Sequence, residues 1–167
     1  LRGVMGAGPN RMNRLVIRES ACGLARYLLQ VNPASIELGI VVSFDGRLQS
    51  RVFAEETASV LAAFGFKVHL SKGPLPTPVC AYALKAFGAA AAAMVTASHN
   101  PPEYNGFKVY WGNGAQIVPP QDKGISDAID EAAKSEIPFV PIAEAVEKGM
   151  VNYFGPKLFQ AYMSQVS

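Results

Sequence analysis

The 167 residues are half hydrophobic and 17% charged, a composition that supports a buried core and excludes a disordered chain. The formal net charge of +2 gives no basis for nucleic-acid or membrane partners, and no apolar run approaches the roughly 18 residues that span a bilayer. Cys22 and Cys80 stand alone, without CxxC spacing or a neighbouring His, so neither a zinc site nor a disulfide framework is indicated, and with no signal-peptide pattern at the start a reducing, cytoplasmic setting is expected. The length allows one domain with the start of another. Because the chain opens Leu-Arg-Gly without Met, residues upstream are expected.

Ile17, Ala21, Leu24 and Leu28 recur at helical spacing across residues 14–30, and Asn32-Pro33 stops that helix. Residues 39–44 (GIVVSF) predict a buried strand that runs into the turn Asp45-Gly46-Arg47. Phe53, Thr57, Val60, Leu61 and Phe64 line a second helix, with Gly65 at its expected C-terminal cap. A strand through Phe66, Val68 and Leu70 follows, with Lys67 and His69 on its other face. Thr77-Pro78 predicts the start of a third helix, ending at Gly88. Residues 89–95 and 107–111 predict two further strands, and Gly112-Asn113-Gly114 a hairpin turn into a strand at 115–118. A helix over 121–133 carries Ile125, Ile129 and Ala132 on one face. This alternation predicts an α/β layer structure, with a mixed, mostly parallel sheet between helices. Residues 137–141 loosen into an expected linker. The amphipathic stretch opened by Pro156 is expected to be the first helix of a second domain whose remainder is absent, giving domains of 1–136 and 137–167.

Several chemistries can be weighed on the residues alone. Gly3 and Gly8 have the spacing of a phosphate-binding loop, but Pro9-Asn10 stands where Lys-Ser/Thr is required, and Arg11 where a dinucleotide fingerprint needs its third glycine. These glycines are expected to form a turning loop. Ser98 has no GxSxG elbow, and His99, its chain neighbour, points to the opposite face of an extended backbone. A loop suited to phosphate remains. Residues 96–108, TASHNPPEYNGFK, follow the apolar run AAAAMV. In an open α/β sheet, ligands sit beyond the carboxyl ends of the strands. Ser98, the Asp45-Gly46-Arg47 turn and the Thr77-Pro78 helix start each follow such an end. A phosphoryl group on Ser98 would bring a charge of roughly −1.5 to −2. Arg2, Arg47 and Lys108 could compensate it, with Asn100 and turn N–H groups binding oxygens.

TASHNPPEYNGFKVYW closely resembles the phosphoserine loop of the α-D-phosphohexomutases, the phosphoglucomutase and phosphomannomutase superfamily. LRGVMGAGPNRMN is similar to the family's N-terminal arginine segment, FDGRLQSRVFAEETASVL to its Asp-Gly-Arg turn and helix, and PLPTPV to its Pro-Thr-Pro turn. KVYWGNGAQIVPPQDKGISDAI resembles the branch that holds phosphoglucomutase 2 and phosphopentomutase. The resemblance runs continuously over about residues 1–133 and implies a domain I fold of this superfamily.

It also implies roles. Ser98 would carry the transferable phosphoryl group and exchange it with a sugar phosphate through a bisphosphate intermediate, interconverting sugar 1-phosphate with the 6-phosphate, or with the 5-phosphate for pentoses. Lys108 matches a lysine assigned acid/base work, His99 a histidine beside the phosphoserine, and Arg2 an arginine at the active-site floor. Arg47 stays open between a phosphate ligand and a structural turn residue. The implied cofactors are Mg2+, held in this stretch only by Ser98 through its phosphate, and a sugar bisphosphate activator. The implied partners are the sugar phosphate and the remaining domains of a longer enzyme. Lys108 carries a tension, because a neighbouring dianion favours its charged form whereas a general base must lose its proton. An electrostatic and acid role is therefore expected first. The family's Asp-Gly-Asp metal loop, its sugar-recognition loop and its Arg-x-Ser-Gly-Thr phosphate loop are not in this sequence, so the 167 residues alone are not expected to turn over sugar phosphates. The alternative is a non-catalytic module that binds phosphosugars or a partner protein.

Overall fold

The computed structural model describes residues 2–8 and 10–166. Its first element is a strand that the sequence pattern did not announce, β1 (Arg2–Val4), three residues ahead of the glycine-rich turn. Asn13 then caps α1 (Arg14–Val31), accepting the Val16 N–H at 2.9 Å, while its side-chain amide donates to the carbonyls of Gly6 and Gly8. One side chain thus satisfies a free helix donor and closes the preceding loop. The predicted stripe of Ile17, Ala21, Leu24 and Leu28 is buried.

A single helical turn, α2 (Ser35–Leu38), was not foreseen. It leads to β2 (Ile40–Phe44), buried at every residue, and on to α3 (Ser50–Ala63). Next come β3 (Val68–Ser71) and α4 (Thr77–Ala86). Thr77 opens α4 without a side-chain capping bond, and Pro78 occupies its first turn. The alanine-rich run is β4 (Ala91–Val95), buried throughout, and β5 (Tyr104–Trp111) starts three residues earlier than its apolar pattern suggests. α5 (Gln121–Ala132) completes the 121–133 expectation.

The six-stranded sheet has the order β1-β5-β4-β2-β3-β6, where β6 is Val151–Phe154. β2 runs parallel to β3 and β4, and β3 parallel to β6; β5 is antiparallel to both β4 and β1. The sheet is therefore mixed, as expected, but for a different reason. The turn at 112–114 forms, yet residues 115–118 make no strand and meet β5 only through a Tyr110–Gln116 bridge. Pro119-Pro120 offers no backbone N–H with which a longer ladder could continue. The antiparallel character comes from β5 folding back on β4.

Helices cover both faces. The larger core lies under α1, α3 and α5, where Leu24, Leu28, Phe53 and Leu61 meet Ile40, Val42, Ala93 and Val95. On the other face Cys80, Ala83 and Leu84 of α4 pack on Val41, Ala92 and Met94. After the expected linker at 137–141, a short helix, α6 (Ile142–Glu147), precedes β6, and α7 (Pro156–Val166) then lies against α4 through an edge-on Tyr82–Tyr162 pair, 5.6 Å between centroids.

Candidate phosphoserine-loop site

β2 and β4 are neighbours, and their connections leave in opposite directions along the sheet, β2 toward β3 and β4 toward β5. Ligand crevices of open α/β sheets form at such a reversal, beyond the carboxyl ends of the strands. Asp45 is the first residue past β2, and Thr96 the first past β4. The Asp45 N–H donates to the Val95 carbonyl at 3.2 Å, which keeps the two exits side by side. An open cleft of about 920 Å³ lies here, lined among others by Met5, Asp45, Arg47, Gln49, Asn100 and Glu103.

Asp45 is the hub. Its Oδ1 accepts the Ser50 hydroxyl at 2.7 Å and the Arg47 N–H at 3.0 Å, and its Oδ2 accepts the Thr96 hydroxyl at 2.6 Å. Ser50 Oγ in turn accepts from Asn105 Nδ2 at 3.0 Å. Thr96, Ser50 and Asn105 are all buried. Each is a polar group taken out of water and given partners, as buried polar groups must be.

Arg47 is 14% exposed and its guanidinium faces protein oxygens. Nη1 donates to the carbonyls of Pro101 at 2.8 Å and Tyr104 at 3.3 Å, and Nη2 to those of Ser98 and Asn100. Nε lies 3.2 Å from Asp45 Oδ2. All four Nη hydrogens are thus engaged by loop carbonyls. The phosphate contact open to Arg47 from the sequence would require it to release them.

The other expected site residues divide. Arg2, on β1, donates from Nη1 to Asn100 Oδ1 at 3.2 Å, so these two meet at the loop. Ser98 sits on the loop with φ 56°, its N–H donating to Thr96 Oγ1 at 3.0 Å. His99 is exposed, and among the described residues neither its ring nor the Ser98 hydroxyl makes a hydrogen bond. Lys108 pairs with Met94 on β4 and lines a separate hollow of about 480 Å³ along β5 with Arg2, Asp122 and Asp130. The loop before α4 does not line the main cleft. It opens on another hollow of about 440 Å³, beside Gly155, Pro156 and Phe159. Two of the three expected strand-end loops line this cleft; the third still meets the end of β2, where the Leu75 N–H donates to the Phe44 carbonyl at 2.9 Å.

Thr96, Ser50 and Asn105 went unremarked in the sequence. A usable signal existed, since Thr96 directly ends an apolar buried strand and Asn105 interrupts another, positions where a polar side chain must find a partner. Among the described residues no three His, Cys, Asp or Glu side chains come together to hold a metal ion. Asp45 spends both oxygens on hydroxyl, N–H and guanidinium donors, which leaves exposed Glu103 as the cleft's other carboxylate. The residues present therefore do not form a divalent-cation cage.

Comparison with known proteins agrees with this fold. Residues 1–136 match the family described as phosphoglucomutase/phosphomannomutase, alpha/beta/alpha domain I. A protein of Schizosaccharomyces pombe named as a probable phosphoribomutase is 47% identical over 131 residues, covering 78% of this chain and 22% of its own length. The phosphopentomutase of Mus musculus is 44% identical over 158 residues, 91% of this chain and 24% of that protein. The crystal structure of a phosphoglucomutase/phosphomannomutase family protein from Burkholderia thailandensis superposes with a TM-score of 0.66 at 27% identity, covering 97% of this chain and 32% of the other. The chain thus spans between a fifth and a third of these relatives. With its fold, its strand-end loop and this match in agreement, the chain belongs to the phosphoglucomutase/phosphomannomutase family, and residues 1–136 are its alpha/beta/alpha domain I.

Proposed function

We propose that this chain is the phosphoserine-bearing part of a phosphosugar mutase, and that Ser98 Oγ carries the phosphoryl group. The observation that carries this reading is the Ser98 loop itself. A hydroxyl without a hydrogen-bond partner among the described residues stands beyond a buried strand, on a loop whose Asn100 and Pro102 line an open cleft and whose backbone is gripped by Arg47 and Thr96. A merely structural turn serine would commonly be bonded to its own loop.

In the proposed reaction a hydroxyl oxygen of a sugar monophosphate attacks phosphorus as the bond to Ser98 Oγ breaks. The hydroxyl's proton ends on Ser98 Oγ, so the exchange balances without a further reactant. The bound bisphosphate then turns round and returns its other phosphoryl group to Ser98, which interconverts the sugar 1-phosphate with its 6-phosphate or, for a pentose, its 5-phosphate. Such transfer depends on positioning and on neutralising the equatorial oxygens. Arg2, which meets Asn100 at the loop and also lines the β5 hollow, supplies positive charge, and Lys108 in that hollow acts as the acid, passing a proton to Ser98 Oγ and receiving the sugar hydroxyl's proton in its place. His99, exposed beside Ser98, would contact the phosphoryl group or the sugar. Relatives named phosphoribomutase and phosphopentomutase favour a pentose phosphate as one substrate. A magnesium ion on the phosphoserine would take only that phosphoryl oxygen from this stretch and its other ligands from the remaining domains of a longer enzyme. A sugar bisphosphate would activate the enzyme by phosphorylating Ser98.

The test is the intact mass of the protein isolated from cells, with peptides containing Ser98 mapped, together with a mutase assay of the full-length protein on ribose and glucose phosphates. We expect one phosphoryl group on Ser98, and loss of turnover by about 1,000-fold or more in Ser98→Ala. An unmodified Ser98 that takes up no phosphoryl group from a sugar bisphosphate, or a Ser98→Ala enzyme that keeps its activity, overturns the reading.

A further inference from the structure

Ser98 and Gln49 are the two non-glycine residues with positive φ among those described, Ser98 at 56°. An L residue meets its own Cβ crowding there, and such a conformation persists only where the surroundings enforce it. Two groups of contacts enforce it at Ser98. Thr96 Oγ1 accepts the Ser98 N–H at 3.0 Å while donating its own proton to Asp45 Oδ2 at 2.6 Å. That second bond fixes the Thr96 rotor and leaves its lone pairs aimed at the N–H. Arg47 holds the far side of the same residue through the Ser98 carbonyl and continues to those of Asn100, Pro101 and Tyr104.

Peptide planarity turns this grip into a presentation. Across a planar trans peptide the Ser98 carbonyl and the His99 N–H point in opposite directions. With the carbonyl drawn onto Arg47, the His99 N–H is turned away from the guanidinium, and it has no hydrogen-bond partner among the described residues. Ser98 Oγ likewise has no hydrogen-bond partner among the described residues. A free N–H next to the phosphoryl-bearing oxygen is a ready donor to a phosphoryl oxygen.

Resting on the reading of Ser98 as phosphoryl carrier, we propose that Thr96, oriented by Asp45, and Arg47 are positioning residues that lock Ser98 in its left-handed conformation and hold the His99 N–H ready for the phosphoryl group. Arg47 acts on the loop's carbonyls and not on phosphate. Removing the Thr96 hydroxyl frees the Ser98 N–H to rotate, so the loop samples arrangements in which Oγ and the His99 N–H no longer converge.

The experiment compares wild type, Thr96→Val and Thr96→Ser in the full-length protein by amide hydrogen exchange and by steady-state kinetics. Thr96→Val should speed exchange across residues 96–104 while leaving α1 and α5 protected, and Thr96→Ser, which keeps the hydroxyl, should restore protection. Thr96→Val should also lower kcat by about 100-fold with KM held within about twofold, the signature of lost alignment and not of lost binding. Loop exchange unchanged in Thr96→Val, or Thr96→Ser exchanging as fast as Thr96→Val, overturns the proposal. If Thr96→Val does not fold, Asp45→Asn takes its place and is read the same way. If wild type itself shows neither turnover nor Ser98 phosphorylation, the carrier reading is what fails, and the exchange data still decide the positioning claim.

Discussion

At the scale of single residues, burial decides which polar groups have a story to tell. His69 alternates with core residues and is expected on a sheet face; it is there, but only 9% exposed, with its ring stacked on Phe87 at 4.1 Å and 8°. Burial, with Lys67 nearby as a smaller cause, pushes its imidazole below the ordinary histidine value. The unfolded chain, with a pKa near 6.5, therefore takes up a proton that the folded chain refuses. The sign follows directly: His69's contribution is fully present above about pH 6.5 and is lost as pH falls from there through the lowered folded value. His69→Phe keeps an aromatic ring against Phe87 and removes the titration. The wild-type urea midpoint should thus fall more between pH 7.5 and 5.5 than that of His69→Phe. Parallel midpoints over this interval would remove His69 from the account. Arg47 teaches the complementary lesson. The sequence shows a guanidinium after a strand but not which oxygens it faces, and only the folded loop shows four carbonyls already there.

At the scale of elements, the tightest joint is between α1 and α5. A Cβ built on Gly23 would lie 2.4 Å from Ile129 Cγ1 and 2.6 Å from the Ile129 backbone nitrogen, and one on Gly124 would lie 2.1 Å from Tyr27 Cε1. Two effects compete at Gly23. Alanine favours a helix over glycine by about 0.8–1 kcal/mol, whereas overpacking costs about 1–3 kcal/mol. The neighbour at Gly23 includes backbone, which cannot swing aside, so overpacking should win and Gly23→Ala should destabilise by about 1–2 kcal/mol net. Gly124→Ala meets a side chain able to move and should cost less. Urea unfolding of the two variants checks the order, and a stabilised Gly23→Ala would show that the helices can separate freely. The helices themselves were legible, because Ile17, Ala21, Leu24 and Leu28 repeat at 3.6 residues; the closeness of their packing was hinted at only by glycines inside helical patterns. Short edge strands were not legible. β1 and β6 have three and four residues, too few for alternation to stand out, and they exist because a neighbouring strand offers hydrogen bonds. The place of Ser98 on a loop just past a buried strand was legible through its motif. Thr96 carried a signal as the polar residue closing a buried strand, but its partner did not show, since Asp45 lies 51 positions away.

At the scale of the whole molecule, the question is where the folded unit ends. The family match stops at residue 136, but the packing does not. Ile137 and Phe139 pack against the buried cluster of Ala21, Cys22, Val60 and Ala132, and the Arg18 guanidinium, itself bonded to Glu56, lies 4.1 Å over the Phe139 ring. The Val140 N–H donates to the Ser59 carbonyl at 3.2 Å. Beyond these, Ala145, Val151 and Phe154 are buried, and β6 satisfies the outer edge of β3 along Val68–Ser71. Burying Val151 and Phe154 is worth about 1.5–3 kcal/mol each, a large share of a typical domain stability of about 5–15 kcal/mol. Without β6, β3 would become an uncovered apolar edge, the kind of strand that pairs with other chains. A chain cut after residue 136 should therefore unfold at lower urea and associate, whereas residues 1–167 should not associate through that edge. Urea midpoints and light scattering of the two chains at equal concentration are the measurement. Equal midpoints with both chains monomeric would mean that β6 merely leans on the sheet; a lower midpoint with association would place the sheet's true edge at residue 154, past residues 137–141, whose sequence reads as a linker.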